Sequence, residues 1–399
     1  MLEFSSATSS TPDTRRATRS ALDDALAGLS AGAPRLVIFH ATMGHDLDVV
    51  VKTLREALPD VDVVGCSCAG VIGRDGANES MRALAMMVVA GPSTELSVVH
   101  RDGLAGESSR ALSRDMAEAL VARAGRPRAV LMVLPGIDVA MDEAIAGVEE
   151  VLGPDVTLFG GTAGDNMKGI ATFQAVGDRV YERAGFLVGF HDDSLSLETQ
   201  ATHGFVPAGV ELEVTKASGN RVVELDGRPA WSVYTRALGL TDAAMPADTI
   251  PPGAVGVALP PALAAEYGDS HLLRVITHRL SDGSLLMPVT CAEGTRLSLM
   301  RRDEARIFAN LEVVLGQLRG RTGDRRPVAV FHTDCGARGR LMVDRVSKEE
   351  IVSQMQRALF GEVPGPWLGM YGFGEITVLG GRNVFHNYTT SLYVFTRTR

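Results

Sequence analysis

The sequence predicts an α/β to α+β fold, with mixed β-sheets, flanking helices and two domains. Glycine is abundant, at 43 of 399 residues, while aromatic residues make up only 5%; that mix suits tight strand-to-helix turns. The first half alternates short apolar runs with amphipathic segments, the order of parallel strands joined by helices. After residue 173 the alternation gives way to short β segments between Gly/Asp turns.

Residues 1–33 open with MLEFSSATSSTPDTRRATRS, which has no apolar core and reads as a flexible tail, followed by a short helix at 21–29. RLVIFH at 35–40 is a strand. Residues 45–58 place Leu47, Val50, Val51, Leu54 and Leu58 at helical spacing. A second strand at 61–66 runs into the turn GCSCAG at 65–70, and strand–helix–strand order makes this pair parallel. Strands at 83–89 and 95–100, a helix at 108–124, a strand at 129–134 and a helix at 139–152 follow. A strand at 157–159 enters the turn GGTAGD at 160–165. The proline-rich stretch 245–261 reads as a connector, which divides the chain into domains at 34–245 and 246–399. Beyond it, β segments resume at 272, with helices at 303–318 and 347–359 and strands at 328–332, 367–372 and 390–396. No internal repeat is visible.

The balance of 45% hydrophobic and 22% charged residues excludes a disordered chain. A net charge of −9 argues against generic nucleic-acid binding. Four cysteines make no disulfide framework and fit a reducing compartment. No apolar run is long enough to span a membrane and the N-terminus has no secretory signal, so the expected location is the cytoplasm.

GCSCAG resembles the G-x-S-x-G elbow of hydrolases, with Ser67 or a cysteine as nucleophile, but the VIGRDGANES that follows is loop-like where an elbow needs a helix. Cys66 and Cys68 stand two apart and face the same way on an extended chain. They chelate a soft metal, form a redox pair, or pack as small hydrophobes. The backbone amides of both glycine turns, Gly161 among them, can hold a small anion. The nine histidines show no metal-ligand spacing.

The C-terminal part carries the densest polar segments: HTDCGARGR at 332–340, GMYGFGEI at 369–376 and RNVFHNYT at 382–389. Alternate glycines clear one face of a strand, which lets Arg338, Glu375 and His386 converge, either as a structural salt bridge or around a ligand. In the second case Arg338 offers a planar fork to a carboxylate and Glu375 holds an ammonium or orients Arg338. Tyr371 and Tyr388 supply apolar wall. The candidate ligand-binding set is Cys66, Ser67, Gly161, Cys335, Arg338, Tyr371, Glu375, His386 and Asn387.

Taken together, GCSCAG (65–70), GGTAGD (160–165), HGFVPAG (203–209), VTKASGNRVVELDGRPA (214–230), AEGTRLSLMRRDE (292–304), C-x-x-R-G-R (335–340), YGFGEI (371–376) and HNYTT (386–390) resemble the FIST family of bacterial sensory proteins. The family usually has serine or threonine where this chain has Cys68. The resemblance implies a stand-alone sensor that binds a small amino-acid-like molecule and reports to a signalling partner. An alternative it implies is a haem-based nitric-oxide sensor that regulates a histidine kinase. Haem needs an axial ligand, for which His203 and His386 are the candidates.

Overall fold

A computed structural model describes residues 1–30, 32–241, 253–338 and 345–398. Its strands and helices fall into three units of the same order. The first is β1 (Glu3–Ser9), α1 (Thr14–Ala27), β2 (Pro34–Thr42), α2 (Leu47–Ala57), β3 (Asp62–Cys68), the hairpin β4 (Gly70–Gly73) and β5 (Gly76–Asn78), and β6 (Leu84–Ala90). The second is β7 (Leu96–Arg101), α3 (Ser109–Ala124), β8 (Ala129–Leu134), α4 (Met141–Leu152), β9 (Thr157–Thr162), the hairpin β10 (Gln174–Val176) and β11 (Arg179–Tyr181), and β12 (Gly185–Phe190). The third is β13 (Leu195–Thr202), α5 (Glu304–Thr322), β14 (Arg326–Cys335), α6 (Arg345–Phe360), β15 (Trp367–Gly372), the hairpin β16 (Gly374–Leu379) and β17 (Arg382–His386), and β18 (Thr390–Arg397). Residues 205–241 and 253–302, between β13 and α5, fold as an inserted antiparallel sheet around Trp231, Tyr234, Leu297 and Leu299.

Local sequence explains the elements. Asp46 caps α2 by accepting from the amides of Asp48 and Val49, and Val50, Val51 and Leu54 form its buried stripe. Within RLVIFH the run Leu36–Phe39 is continuously apolar because β2 is covered on both faces. The predicted parallel pair is present, with Leu36 opposite Asp62 through Thr42 opposite Cys68. β8 with β9 and β14 with β15 repeat the arrangement.

Each unit closes a six-stranded sheet with a hairpin borrowed from another unit. The orders are β1-β6-β2-β3-β10-β11, β7-β12-β8-β9-β16-β17 and β13-β18-β14-β15-β4-β5. Unit two lends its hairpin to unit one, unit three to unit two, and unit one to unit three, so the exchange is cyclic. Where the three parallel strands end, Ser67, Thr162 and Tyr371 occupy matching positions, each opposite the first residues of the borrowed hairpin. There the amide of Gly164 donates to the Ser67 carbonyl at 3.0 Å, that of Ala69 to Tyr371 at 2.9 Å, and that of Phe373 to Thr162 at 3.3 Å. In every case the donor lies two residues beyond the matching position of its own unit. Gly161 is required beside this ring, because a Cβ there would collide with the Gly374 carbonyl.

Behind the ring lies one core shared by all three units. Phe159 sits 5.3 Å from Tyr393 and 5.4 Å from Phe331, centroid to centroid, with Phe190 and Phe395 completing the aromatic cluster.

Three expectations need correction. Residues 1–33 are not a flexible tail: β1 pairs with β6 over seven residues and α1 buries Ala17, Ala21, Leu22 and Ala25. The polar run SSATSS forms a strand because its hydroxyls find partners inside, as when Ser6 Oγ accepts from the Trp367 amide at 2.9 Å. A repeat does exist, in topology. The division at 245 lies outside the described residues, and the segments on either side of it, Phe205–Ser218 and Ala254–Ala258, belong to one sheet through Arg296–Arg302.

A buried α1 makes a measurable difference. Leu22→Ala should lower the unfolding free energy by about 2–5 kcal/mol in urea titration, the cost of truncating a core leucine. A flexible tail would leave the titration unchanged.

Candidate ligand-binding site

The three glycine-rich motifs singled out by sequence, GCSCAG, GGTAGD and YGFGEI, are the three ends that meet in the hydrogen-bond ring. Their first role is therefore to let three backbones approach closely. Ser67 is fully buried; its Oγ donates to the Gly164 carbonyl and accepts from the Phe173 amide, both at 2.8 Å. It has no imidazole partner among the described residues, and a β-hairpin follows it instead of a helix, so the hydrolase elbow is not formed.

Cys66, on the opposite face of β3, has its Sγ 3.3 Å from His40 Nδ1 and 3.4 Å from Met370 Sδ. Burial pushes the Cys66 thiol well above its ordinary value and lowers His40 to about 3. Both stay neutral, the reverse of a thiolate–imidazolium nucleophile.

The C-terminal segments do converge, with different pairings from those expected. Arg338 is buried, and its Nε donates to Asp334 Oδ1 at 3.0 Å and its Nη1 to the His203 carbonyl at 2.6 Å. Its carboxylate partner is thus Asp334, four residues back, and not Glu375. Glu375 Oε2 accepts from the Thr389 hydroxyl at 2.6 Å and its amide at 3.3 Å. Burial raises the Glu375 carboxyl well above its ordinary value, the two Thr389 hydrogen bonds only partly offsetting it. His386 lies opposite Glu375 in the β16–β17 register, and its Nδ1 shares a hydrogen bond with the Tyr267 hydroxyl at 3.0 Å. Glu375 Oε1 and His386 Nε2 are both buried without a protein partner, the setting in which an ordered water completes a polar network. Tyr371 is fully buried beside this network.

Asn387 holds walls together: its Oδ1 accepts from the Val275 amide at 3.2 Å and its Nδ2 donates to the Phe373 carbonyl at 3.0 Å. Val275 and Phe373 line a pocket of about 50 Å³, together with Met167, His278, Cys335 and Tyr388. The second unit, the inserted sheet and the third unit all contribute. Tyr388 holds a left-handed backbone, φ 57°, a conformation that is costly for a bulky residue and recurs at ligand sites. Of the residues singled out in the sequence, Cys335 and Tyr388 line this pocket. Val275, His278 and Met167 carried no motif of their own, and Phe373 sits within YGFGEI without being a candidate itself; the asparagine of HNYTT, which ties Val275 and Phe373 down, was the available signal.

Neither histidine proposed for haem fits that role. His203 Nδ1 accepts from the Phe205 amide at 2.8 Å and Nε2 donates to the His271 carbonyl at 2.9 Å, which leaves no ring nitrogen for iron. His386 is fully buried between Tyr267 and the β16 strand, and the nearby pocket is far smaller than a porphyrin.

A chain whose two sequence regions build one pocket at their seam has the form of a ligand-binding module. Residues 35–228 match the FIST N domain and residues 230–377 the FIST C domain. The chain belongs to the FIST family, whose domains are sensory, ligand-binding signalling domains. It is 25% identical over 402 residues to the uncharacterized protein Mb0898c of Mycobacterium bovis, covering 96% of each chain. It is 24% identical over 391 residues to the uncharacterized protein MT0656 of Mycobacterium tuberculosis, covering 97% of this chain and 98% of that one. Among solved structures, cyanuric acid hydrolase from A. caulinodans aligns over both full chains with TM-score 0.40 and 9% identity. Phosphoribosylformylglycinamidine synthase II from Thermotoga maritima aligns with TM-score 0.24 and 10% identity over 72% of its chain. No helix among the described residues is long and apolar enough to cross a membrane.

Two expected outcomes test this network. Arg338→Ala strands Asp334 in the interior and should cost about 3–5 kcal/mol of stability in urea titration, as for a broken buried ion pair. Glu375 has a folded pKa above its ordinary 4.5, so the stability that its proton lends is full below pH 4.5 and is lost as pH rises toward the folded value. Glu375→Gln carries no such proton. Its stability relative to the natural protein should therefore grow as pH is raised above 4.5, and parallel pH profiles would contradict the buried neutral acid.

Proposed function

We propose that this chain is a small-molecule sensor whose ligand enters the pocket between the second unit, the third unit and the inserted sheet. The observation that supports it is the origin of the walls: Met167 comes from the FIST N region, while Val275, His278, Cys335 and Phe373 come from the FIST C region. A ligand seated there touches both regions at once and stabilises one relative arrangement over others.

The lining favours an amino-acid-like ligand with a small apolar side chain. Met167, Val275 and Phe373 accept the side chain by burial. The polar end lies toward His278, which is half-buried and whose Nδ1 has no hydrogen-bond partner. Arg338, engaged by Asp334 and His203, acts as a positioning residue that anchors the segment carrying Cys335 and Ala337. The bound state is read by a separate signalling protein, of which a histidine kinase is one class.

Thermal melts with single L-amino acids and their des-amino and des-carboxy analogues test this reading. A ligand at about a hundred times its Kd adds about 2.7 kcal/mol, a shift of several degrees. Ala337→Phe, which fills the pocket from its wall, should remove that shift while leaving the ligand-free melt close to that of the natural protein. An amino-acid-induced shift that survives Ala337→Phe would place the ligand elsewhere.

A further inference from the structure

One cluster of donor atoms lies outside the pocket and is unused by the sensing reading. His40 on β2, Cys66 on β3 and Met370 on β15 bring an imidazole nitrogen, a thiol and a thioether together in the shared core. Cys66 and Met370 occupy matching positions in the first and third units, directly before Ser67 and Tyr371 of the ring. The matching residue of the second unit is Gly161, where a Cβ would meet the Gly374 carbonyl, so the second unit adds no donor to the cluster. Cys68 projects from the same face of β3 as Cys66 and is buried in the same core.

We propose that His40, Cys66 and Met370 form a binding site for one soft monovalent cation, Cu(I). Bonds of about 2.0 Å to nitrogen and about 2.3 Å to sulfur at tetrahedral angles set donors about 3.5–3.8 Å apart, so binding moves each donor outward by a few tenths of an ångström from the contacts of the metal-free site. The observed separations are 3.3 Å from His40 Nδ1 to Cys66 Sγ and 3.4 Å from Cys66 Sγ to Met370 Sδ. A thioether beside a thiol selects a soft ion over magnesium, calcium or manganese.

Charge fixes the valence. The surrounding core is built from apolar side chains, Val64, Val71, Phe159 and Leu368 among them. Binding replaces the thiol proton: Cys66–SH and Cu(I) give Cys66–S–Cu(I), and the proton leaves to solvent with no change of oxidation state. One thiolate and one monovalent ion leave the site neutral, whereas a divalent ion would bury an uncompensated charge, which is costly in such surroundings. Cys66 and Met370 are 0% and 1% exposed and His40 is 5% exposed, so the ion is taken up as the chain folds. Its consequence is a staple between the first and third units, independent of whether the sensing pocket is occupied.

The test uses the full chain, reduced and refolded without oxygen in the presence of Cu(I), with Ag(I) as a second soft probe, then challenged with bicinchoninate. One equivalent should be retained, and X-ray absorption should show a mixed nitrogen and sulfur shell. Met370→Leu keeps the volume of the core and should weaken retention at least about tenfold, a loss no smaller than removing an outer-shell partner. Cys291→Ala, in the inserted sheet, should leave it unchanged. No retained metal, a shell lacking either donor type, or undiminished retention by folded Met370→Leu would each overturn the site. Should Met370→Leu fail to fold, the X-ray absorption of the natural chain decides alone.

Discussion

The cyclic ring of backbone hydrogen bonds joining Gly164 to Ser67, Ala69 to Tyr371 and Phe373 to Thr162 is the constraint on which the rest of the structure depends. Each hairpin that leaves the ring completes a neighbouring unit's sheet, so no unit buries its own edge without the other two. Stability is thereby distributed around a closed circuit. Glycines crowd the ring for the same reason: three chain reversals share one small volume, and a side chain at Gly136 would collide with the Ala163 carbonyl as one at Gly161 would with Gly374. An observer of sequence sees glycine-rich motifs at strand ends and reads ligand loops. Here close backbone packing uses most of that glycine, and the pocket lined by Val275 and Phe373 lies beside the ring instead of on it.

The parts legible in sequence were those governed by local pattern. RLVIFH followed by the spacing of Leu47, Val50, Val51 and Leu54 specifies a strand and an amphipathic helix, and the parallel pair follows from their order. β1 escaped because its SSATSS run satisfies hydroxyls within the fold, through contacts such as Ser6 to Trp367 that span most of the chain. The threefold arrangement escaped because matching positions hold unlike residues, Cys66, Gly161 and Met370 being one set and Ser67, Thr162 and Tyr371 the next. What the units share is strand order and register, which different side chains can satisfy equally well. Inserting residues 205–302 into the third unit further separates β13 from α5 and hides the period.

The C-terminal polar cluster was legible in its membership more than in its pairings. Arg338, Glu375, His386 and Asn387 do gather in one region, as their strand-end positions imply. Which atom meets which depends on depth. Arg338 and Asp334 are both deeply buried, where an unpaired charge is expensive, so the guanidinium takes the nearest carboxylate and a carbonyl. Glu375 finds hydroxyl and amide donors from Thr389 instead of a cation, and burial raises its carboxyl well above the ordinary value. That shift favours the neutral form, which has no ionic pull toward Arg338.

Asp269 shows how the inserted sheet can be coupled to the ring. Its carboxylate, fully buried, meets the Thr202 hydroxyl at 3.1 Å, the His203 amide at 3.1 Å, Asn310 Nδ2 at 2.9 Å and Arg306 Nε at 3.3 Å. These partners lie at the exit from β13 and on α5, the two points where the chain leaves and re-enters the third unit. His203, next in line, receives Arg338 on its carbonyl and the Phe205 amide on its ring. Arg338 in turn closes the segment that carries Cys335 into the pocket. A displacement of the pocket wall at 335–337 therefore pulls on a continuous polar chain that ends at the base of the insertion. Because Asp269, Thr202, His203, Arg338 and Asp334 are buried and hydrogen-bonded, stretching one of these links exposes an unsatisfied group, and the chain tends to shift as a whole rather than deform at a single bond. That property is what a sensor needs to convert occupancy of a small pocket into movement of a domain.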